Sequence, residues 1–507
     1  MRILGRIICL LLVMSFPFSS FAMEGAVYEV FVPSFMDSNG DSIGDLGGIK
    51  EKIPYLQSLY IKGLWLTPIH PSPSYHGYDV TDYKAIRKEY GSIEDFKKLI
   101  SELDSAGIAL ILDVVVNHSS SEHPWFVSAC ESLVIEPCGS ESCTSKPLCR
   151  EHNPYVEYYN FTYGSGQHSV EGADGWYYLG VFGPHMPDFN LDNENVRHEL
   201  MDIAKFWMDL GVKGFRLDAV IHYYEQNSAK NEEFLSWLVS GIKEHNQNTY
   251  IVGEAWSDTT TIMRLYNSGI NSLFDFAIHG SSGIIAEFLR SGDGKALSTH
   301  LEKHYSSLQA LDEPVQNAVF LGNHDTGRIA GILRRDIQKL KQAAALYLTL
   351  PGVPFIYYGE EIGMTGSGKD ENKRLPMLWN AKGDGLCLAP SDADQKQKLK
   401  QGVLEQEGDE ASLLNFYREL LSARTECSAF YHGNIEAVDV KSNSIAAWNV
   451  YDDENRLTVL HNLSAEPIEE PICWSGELLF SFDLGEGAPE VVGDTLLMPA
   501  FSSCIFN

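Results

Sequence analysis

Three acidic residues of this chain each follow an apolar run and precede a turn. They are Asp218 in Gly214-Phe215-Arg216-Leu217-Asp218, Glu254 in Gly253-Glu254-Ala255-Trp256, and Asp325 in Asn323-His324-Asp325. Two histidines sit in the same setting: His324 beside Asp325, and His118 at the end of Asp113-Val114-Val115-Val116-Asn117-His118. One acid at a strand end is commonly half of a structural ion pair, and Arg216 with Asp218 reads equally well that way. Three acids from different runs are harder to explain as structure alone, because clustered carboxylates repel one another. Two carboxyls flanking a bond, with a third nearby, suit acetal hydrolysis through an oxocarbenium-like transition state. One carboxylate attacks the acetal carbon. A second, kept protonated by its surroundings, gives a proton to the leaving oxygen and later activates water. Arg216 beside Asp218 favours the ionised carboxylate, which is the form a nucleophile needs. Imidazoles add hydrogen bonds to sugar hydroxyls.

The elements that must position these groups follow from the apolar pattern. Apolar runs at 25–35, 61–71, 108–118, up to Asp218, 249–256, 272–279, 317–325 and 353–361 read as eight strands. Helical periodicity separates most of them, as in 47–59 and in the segments "IEDFKKLISELDSAG" and "NVRHELMDIAKFWMDLG". Such a βα series predicts a closed parallel barrel, whose chemistry belongs at the C-terminal strand ends. The rhythm breaks over 119–190, which is rich in Gly, Pro, Ser, Cys and aromatics without helical period. A last helix is predicted over 412–424, and beyond about 430 short alternating strands predict a small β-sandwich. The α/β fold expected is therefore a (β/α)8 barrel (23–118 and 191–428), an inserted domain after strand three (119–190) and a C-terminal all-β sandwich domain (429–507).

Composition limits the function classes. The 38 basic and 69 acidic residues give a net charge of −31, a field that repels phosphate backbones and argues against nucleic acid as partner. Residues 1–22 carry Arg2 and Arg6, an apolar core, and small residues at Ser20 and Ala22, the pattern of a cleaved secretory signal. The expected location is secreted or periplasmic, with no membrane attachment after cleavage and a monomeric state. Of nine cysteines, Cys9 lies in this leader. Cys130, Cys138, Cys143, Cys149, Cys387, Cys427, Cys473 and Cys504 remain. An even number in an exported protein favours disulfides of unknown pairing, and the absence of any CxxC pair makes a zinc site weak. Asn117, Asn160 and Asn462 occupy glycosylation sequons, relevant only in a host that uses them.

Taken together, "DVVVNH" (113–118), "GFRLDAV" (214–220), "GEAW" (253–256) and "FLGNHD" (320–325), in this order, resemble the motifs of the α-amylase family, glycoside hydrolase family 13. "MPDFN" (186–190), "SYHGYDVTDY" (74–83) and "GVPFIYYGEEIGM" (352–364) extend the resemblance over nearly the whole mature chain. They are most similar to bacterial members between oligo-1,6-glucosidases and neopullulanases. The resemblance implies that Asp218 is the nucleophile, Glu254 the general acid/base and Asp325 the third carboxylate, gripping hydroxyls of the distorted sugar. It implies further that Arg216 holds Asp218 ionised, that His118 and His324 hydrogen-bond that sugar, and that Tyr78 stacks beneath it. Asp113 reads as support for the end of strand three. The activity implied is retaining hydrolysis of α-1,4 bonds in starch, glycogen or maltooligosaccharides, with a 4-α-glucanotransferase or α-glucosidase as the nearest alternative. A non-catalytic glucan-binding or partner protein on the same barrel is the rival of another class. Such relatives lack the catalytic carboxylates.

A second constellation follows the first strand: Asp37-Ser38-Asn39-Gly40-Asp41-Ser42-Ile43-Gly44-Asp45. Oxygen donors at alternate positions with intervening glycines are similar to the first half of an EF-hand loop. The family resemblance implies a structural Ca2+ held by Asp37, Asn39, Asp41, Asp45 and the Ile43 carbonyl. Asn117 matches one position of a further calcium site whose other ligands cannot be aligned within 119–190.

Overall fold

Eight apolar segments form one parallel sheet in the computed structural model, which describes residues 22–135, 138, 149–225, 227–311, 315–485 and 487–507. They are β1 (Ala26–Val30), β2 (Ile61–Leu66), β3 (Ala109–Val114), β4 (Gly214–Leu217), β5 (Tyr250–Gly253), β6 (Ser272–Leu273), β7 (Ala318–Phe320) and β8 (Val353–Tyr357). Neighbours pair in chain order. β8 returns to β1, and an isolated Phe274–Ala318 bridge joins β6 to β7, so the sheet closes into a barrel. Each strand is shorter than its apolar run. The remaining residues form the loops that carry the polar groups.

Alternation along the strands divides the core in two. Val27, Trp65, Ile111, Tyr250, Val252, Phe274, Phe320 and Phe355 pack together inside the barrel. Tyr28, Val30, Leu64, Leu110, Leu112 and Phe215 face the surrounding helices. The period of two explains this sorting, because successive side chains leave a strand on opposite faces. The helix Ile93–Ala106 shows how the outer layer is set locally. Ser92 and Asp95 form a reciprocal capping box, Phe96, Leu99, Ile100 and Leu103 face inward, and Gly107 ends the helix at φ 70°. Losing such a cap costs about 1 kcal/mol.

Two segments stand outside the barrel. Between β3 and the helix Glu194–Asp209 lie the helix Pro124–Leu133 and a small sheet of Phe161–Tyr163, Trp176–Tyr178 and His168–Ser169. The helix is a correction to the expectation that 119–190 lacks helical structure. It is ten residues long, with Phe126, Ala129, Ser132 and Leu133 buried on one face, a stretch short enough to be lost in a region rich in Gly, Pro and Ser. After the helix Leu413–Thr425 the chain forms a five-stranded antiparallel sheet and a three-stranded one. Ile445, Ala447, Leu460, Leu496, Met498, Cys504 and Phe506 fill the space between them.

The cysteines differ from the expected disulfide set. Cys130, Cys387, Cys427, Cys473 and Cys504 are thiols, Cys130 on the helix Pro124–Leu133, Cys504 on the strand Ser503–Phe506 and the other three in loops. Burial pushes the Cys130 and Cys387 thiols up to about 12, the behaviour of apolar core residues. Cys143 and the leader 1–21 lie outside the described residues. Among the described residues no helix is long and apolar enough to cross a membrane.

Candidate active site

The barrel register creates the site. Asp113 on β3 pairs with Arg216 on β4, and Arg216 with Val252 on β5, two residues before Glu254. Asp218 follows β4 directly, and the chain then turns at Ala219, whose φ of 47° is a strained left-handed conformation for a residue with a Cβ. Strain of this kind persists only where the surroundings hold it, and here the Ala219 amide donates to Glu254 Oε2 at 3.3 Å.

Arg216, wholly buried, links three carboxylates. Its Nη1 donates to Asp218 Oδ1 at 2.6 Å and to Asp113 Oδ1 and Oδ2 at 2.9 and 3.1 Å. Its Nη2 donates to Glu254 Oε2 at 2.6 Å. Burial raises the Glu254 carboxyl to about 7. Arg216 opposes that rise, and Asp218 and Asp325 add to it. Glu254 is thus a carboxyl that holds a proton near neutrality.

Asp325 is held the opposite way. Burial works against its charge but is outweighed by His324, whose Nε2 lies 2.9 Å from Oδ2, and by Arg374, whose Nη2 donates to Oδ1 at 2.8 Å. The carboxyl therefore lies well below the usual range. His324 Nδ1 donates to Glu29 Oε1 at 2.6 Å. Burial disfavours the imidazolium, yet Asp325 and Glu29 together raise His324 to about 10. The Tyr78 hydroxyl sits 2.7 Å from His324 Nε2 and donates to Asp113 Oδ2 at 2.9 Å, with the two rings stacked at 5.5 Å.

These groups border a cavity of about 330 Å³ lined by Tyr78, His118, Asp218, Glu254, Trp256, Asp325 and Arg374, among others. That size suits a small polar ligand or the end of a longer one. Burial lowers His118 to about 4, so its ring is neutral, and its Nε2 makes no hydrogen bond among the described residues. His324 and Arg216 do not line this cavity. Both ring nitrogens of His324 are engaged, by Glu29, Asp325 and Tyr78, which fixes the ring against Asp325. Arg216 stands behind Asp218 and Glu254 rather than in the cavity wall.

The sequence reading missed Glu29, Arg374 and Trp256. A lone acid within the apolar run "AVYEVFV" was a legible signal for Glu29, because an unpaired buried charge is costly. Arg374 follows no strand, and its place beside Asp325 had no local signal. Trp256 is 54% exposed at the cavity edge, stacked on Phe276 at 4.8 Å.

In the loop 37–45 the oxygens are tied to amides. Asp37 accepts from Asn39, Gly40 and Ser42, Asn39 from Asp41, and Asp41 from Ile43. Slight burial of Asp37 disfavours its charge, but those amides outweigh it and hold the carboxyl low. Asp45 accepts from Ser38 and from Gly48 N at 2.7 Å, capping the helix Leu46–Glu51. The all-oxygen donor set fits a hard cation, with amide bonds orienting the acids.

Residues 29–433 match the family model of the α-amylase catalytic domain. The chain is 38% identical over 474 residues to "Alpha-amylase 3" of Dictyoglomus thermophilum, covering 89% of this chain and 86% of that protein. It is 29% identical to "4-alpha-glucanotransferase" of Thermotoga maritima, covering 87% and 96%. The solved structure of Eubacterium rectale Amy13B is similar with a TM-score of 0.89 at 34% identity, covering 96% of each chain. With the barrel, its carboxylates and these likenesses in place, the chain belongs to the α-amylase family, glycoside hydrolase family 13, as a glycoside hydrolase of amylase type.

Proposed function

We propose that this protein is an exported, retaining α-glucan hydrolase that cleaves α-1,4 bonds through a covalent glycosyl-enzyme intermediate. The observation that carries the reading is the contrast between Glu254, which keeps a proton near neutrality, and Asp325, which stays ionised beside it. Asp218, held on Arg216, attacks the anomeric carbon while Glu254 passes its proton to the leaving oxygen. The glycosidic bond breaks, an ester to Asp218 forms, and Glu254 is left as a carboxylate. That carboxylate takes a proton from water, whose oxygen displaces Asp218 and restores the original anomeric configuration. Asp218 and Glu254 share one guanidinium, which supports the close carboxyl spacing of about 5–5.5 Å used in retention. Asp325 accepts hydrogen bonds from sugar hydroxyls, His118 Nε2 offers a further contact, and Tyr78 supplies a ring face in the cavity.

A transferase reading is favoured by Trp256. An exposed indole at the cavity edge is a platform on which an acceptor sugar could outcompete water. A time course with maltoheptaose separates the two. Hydrolysis gives shorter products and rising reducing ends, whereas transfer gives longer chains at constant reducing ends. No reaction on any α-glucan would overturn the reading. Ca2+ on Asp37, Asn39, Asp41, Asp45 and the Ile43 carbonyl would stiffen the loop after β1 without entering the chemistry. The leader 1–22 supports export, and the monomeric state is tested by light scattering.

A further inference from the structure

We propose that Cys138, Cys149 and His152 form a zinc site in the segment inserted after β3, outside the cavity of the carboxylates. The His152 Nδ1 atom lies 3.4 Å from Cys138 Sγ and 3.2 Å from Cys149 Sγ, and all three ligand atoms fall within 4.8 Å of one another. Among the described residues no other His, Cys, Asp or Glu triad gathers its donor atoms this closely. In a tetrahedral zinc site with Zn–S near 2.3 Å and Zn–N near 2.0–2.1 Å, neighbouring sulfur and nitrogen ligands stand about 3.5 Å apart. The observed separations approach that value.

The ligands are held in place by ordinary local structure. Cys149 is buried, and its carbonyl accepts from the amides of His152 and Asn153, each at 3.0 Å, a tight turn that puts Sγ and the imidazole on one side. Asn153 fastens this turn to the helix Pro124–Leu133 through Ser128 O, Ser128 Oγ and Ser132 Oγ at 2.9, 2.9 and 2.7 Å. The spacing Cys-x10-Cys-x2-His contains no CxxC pair, which is why the sequence reading set zinc aside. Two thiolates and an imidazole are borderline-soft donors that select Zn2+ over the hard ions suited to the loop 37–45. Binding releases the two thiol protons to solvent, and none of the three residues lines the catalytic cavity.

The test uses the purified mature protein, first stripped of metal under reducing conditions and then titrated with Zn2+ against a chromophoric chelator. One equivalent should bind. With Co2+ in its place, a thiolate-to-metal charge-transfer band should appear in the near ultraviolet. Cys138→Ser and His152→Ala should each weaken Zn2+ binding at least tenfold while leaving maltoheptaose turnover unchanged. Should a variant fold poorly, the Co2+ spectrum of the unaltered protein decides the matter alone. A Cys138–Cys149 disulfide in unreduced peptide maps of protein exported by its host, or a Co2+ spectrum without the sulfur band, would overturn the proposal.

Discussion

Asp113 grips Arg216 from behind, with Oδ1 and Oδ2 at 2.9 and 3.1 Å from Nη1 and both side chains wholly buried. This pair fixes the guanidinium on which Asp218 and Glu254 rest. Asp218 still compensates the guanidinium when the Asp113 charge is removed, so the loss is that of a hydrogen bond between charged groups, about 1.5–3 kcal/mol. Asp113→Asn should therefore lower unfolding stability by an amount of this order, and kcat with it, since Arg216 is no longer held. Urea denaturation and maltoheptaose kinetics on one preparation measure both, and unchanged values in each would show that Arg216 is positioned by other contacts.

Glu254 supplies a pH signature. Its folded-state value of about 7 exceeds the ordinary 4.5, so the folded chain holds an extra proton between those limits. Stability attributable to this group consequently falls as pH rises from about 4.5 to 7, because the unfolded chain binds fewer protons there. Activity should fall as pH rises through about 7, where the proton donor is lost. Glu254→Gln should abolish most turnover and flatten the stability profile over that window. A variant that kept the profile of the parent would place the titration elsewhere.

Asp218→Asn retains the shape of the side chain and its contact with Arg216 but removes the attacking oxyanion. Turnover should drop by several orders of magnitude, with circular dichroism and Tm close to those of the parent. Near-normal hydrolysis would end the assignment of Asp218 as nucleophile.

Arg374 reaches Asp325 Oδ1 from the loop after β8 and donates to the Tyr75 hydroxyl at 3.0 Å. Arg374→Ala leaves Asp325 with His324 as its directly bonded cation among the described residues and loosens the carboxylate proposed to meet the sugar. A KM increase of about tenfold, or ~1.4 kcal/mol, is expected for loss of one such contact. Because the Asp325 carboxyl is depressed in the folded state, its stabilisation is present above the ordinary 3.8 and disappears as pH falls. The variant should accordingly be less stable at neutral pH, with the difference shrinking in acid. Thermal melts across that range check the sign.

Chelation tests the loop 37–45. If a cation is held there, excess chelator should lower Tm by several degrees, added Ca2+ should restore it, and Asp41→Ala should abolish the response. Removing Asp45 is less clean, because its carboxylate also caps the helix Leu46–Glu51. A parent Tm indifferent to chelator would mean that the amide network alone shapes the loop.

Much of this protein was settled by short-range pattern. All eight barrel strands fall within apolar runs visible in the sequence, and Asp218, Glu254 and Asp325 stand at or just beyond the ends of β4, β5 and β7, as expected. Alternation and turn residues report burial locally, so the strands and the C-terminal sheets were legible without coordinates, although most strands end several residues before their apolar runs do. Contacts across the closed barrel were not. Only closure brings β1 against β8, placing Tyr28 2.8 Å from Glu361 across 333 residues and Glu29 beside His324 across 295. That closure stacked His324 on Tyr78 beside Glu29, set Arg374 on Asp325, and left His118 Nε2 without a hydrogen-bond partner among the described residues. The fold of the inserted segment, by the same logic, brought two sulfurs and an imidazole together across a spacing that resembles no familiar motif. A sequence states which side chains are buried and where the chain turns, but which of them meet depends on distances that exist only once the sheet has closed.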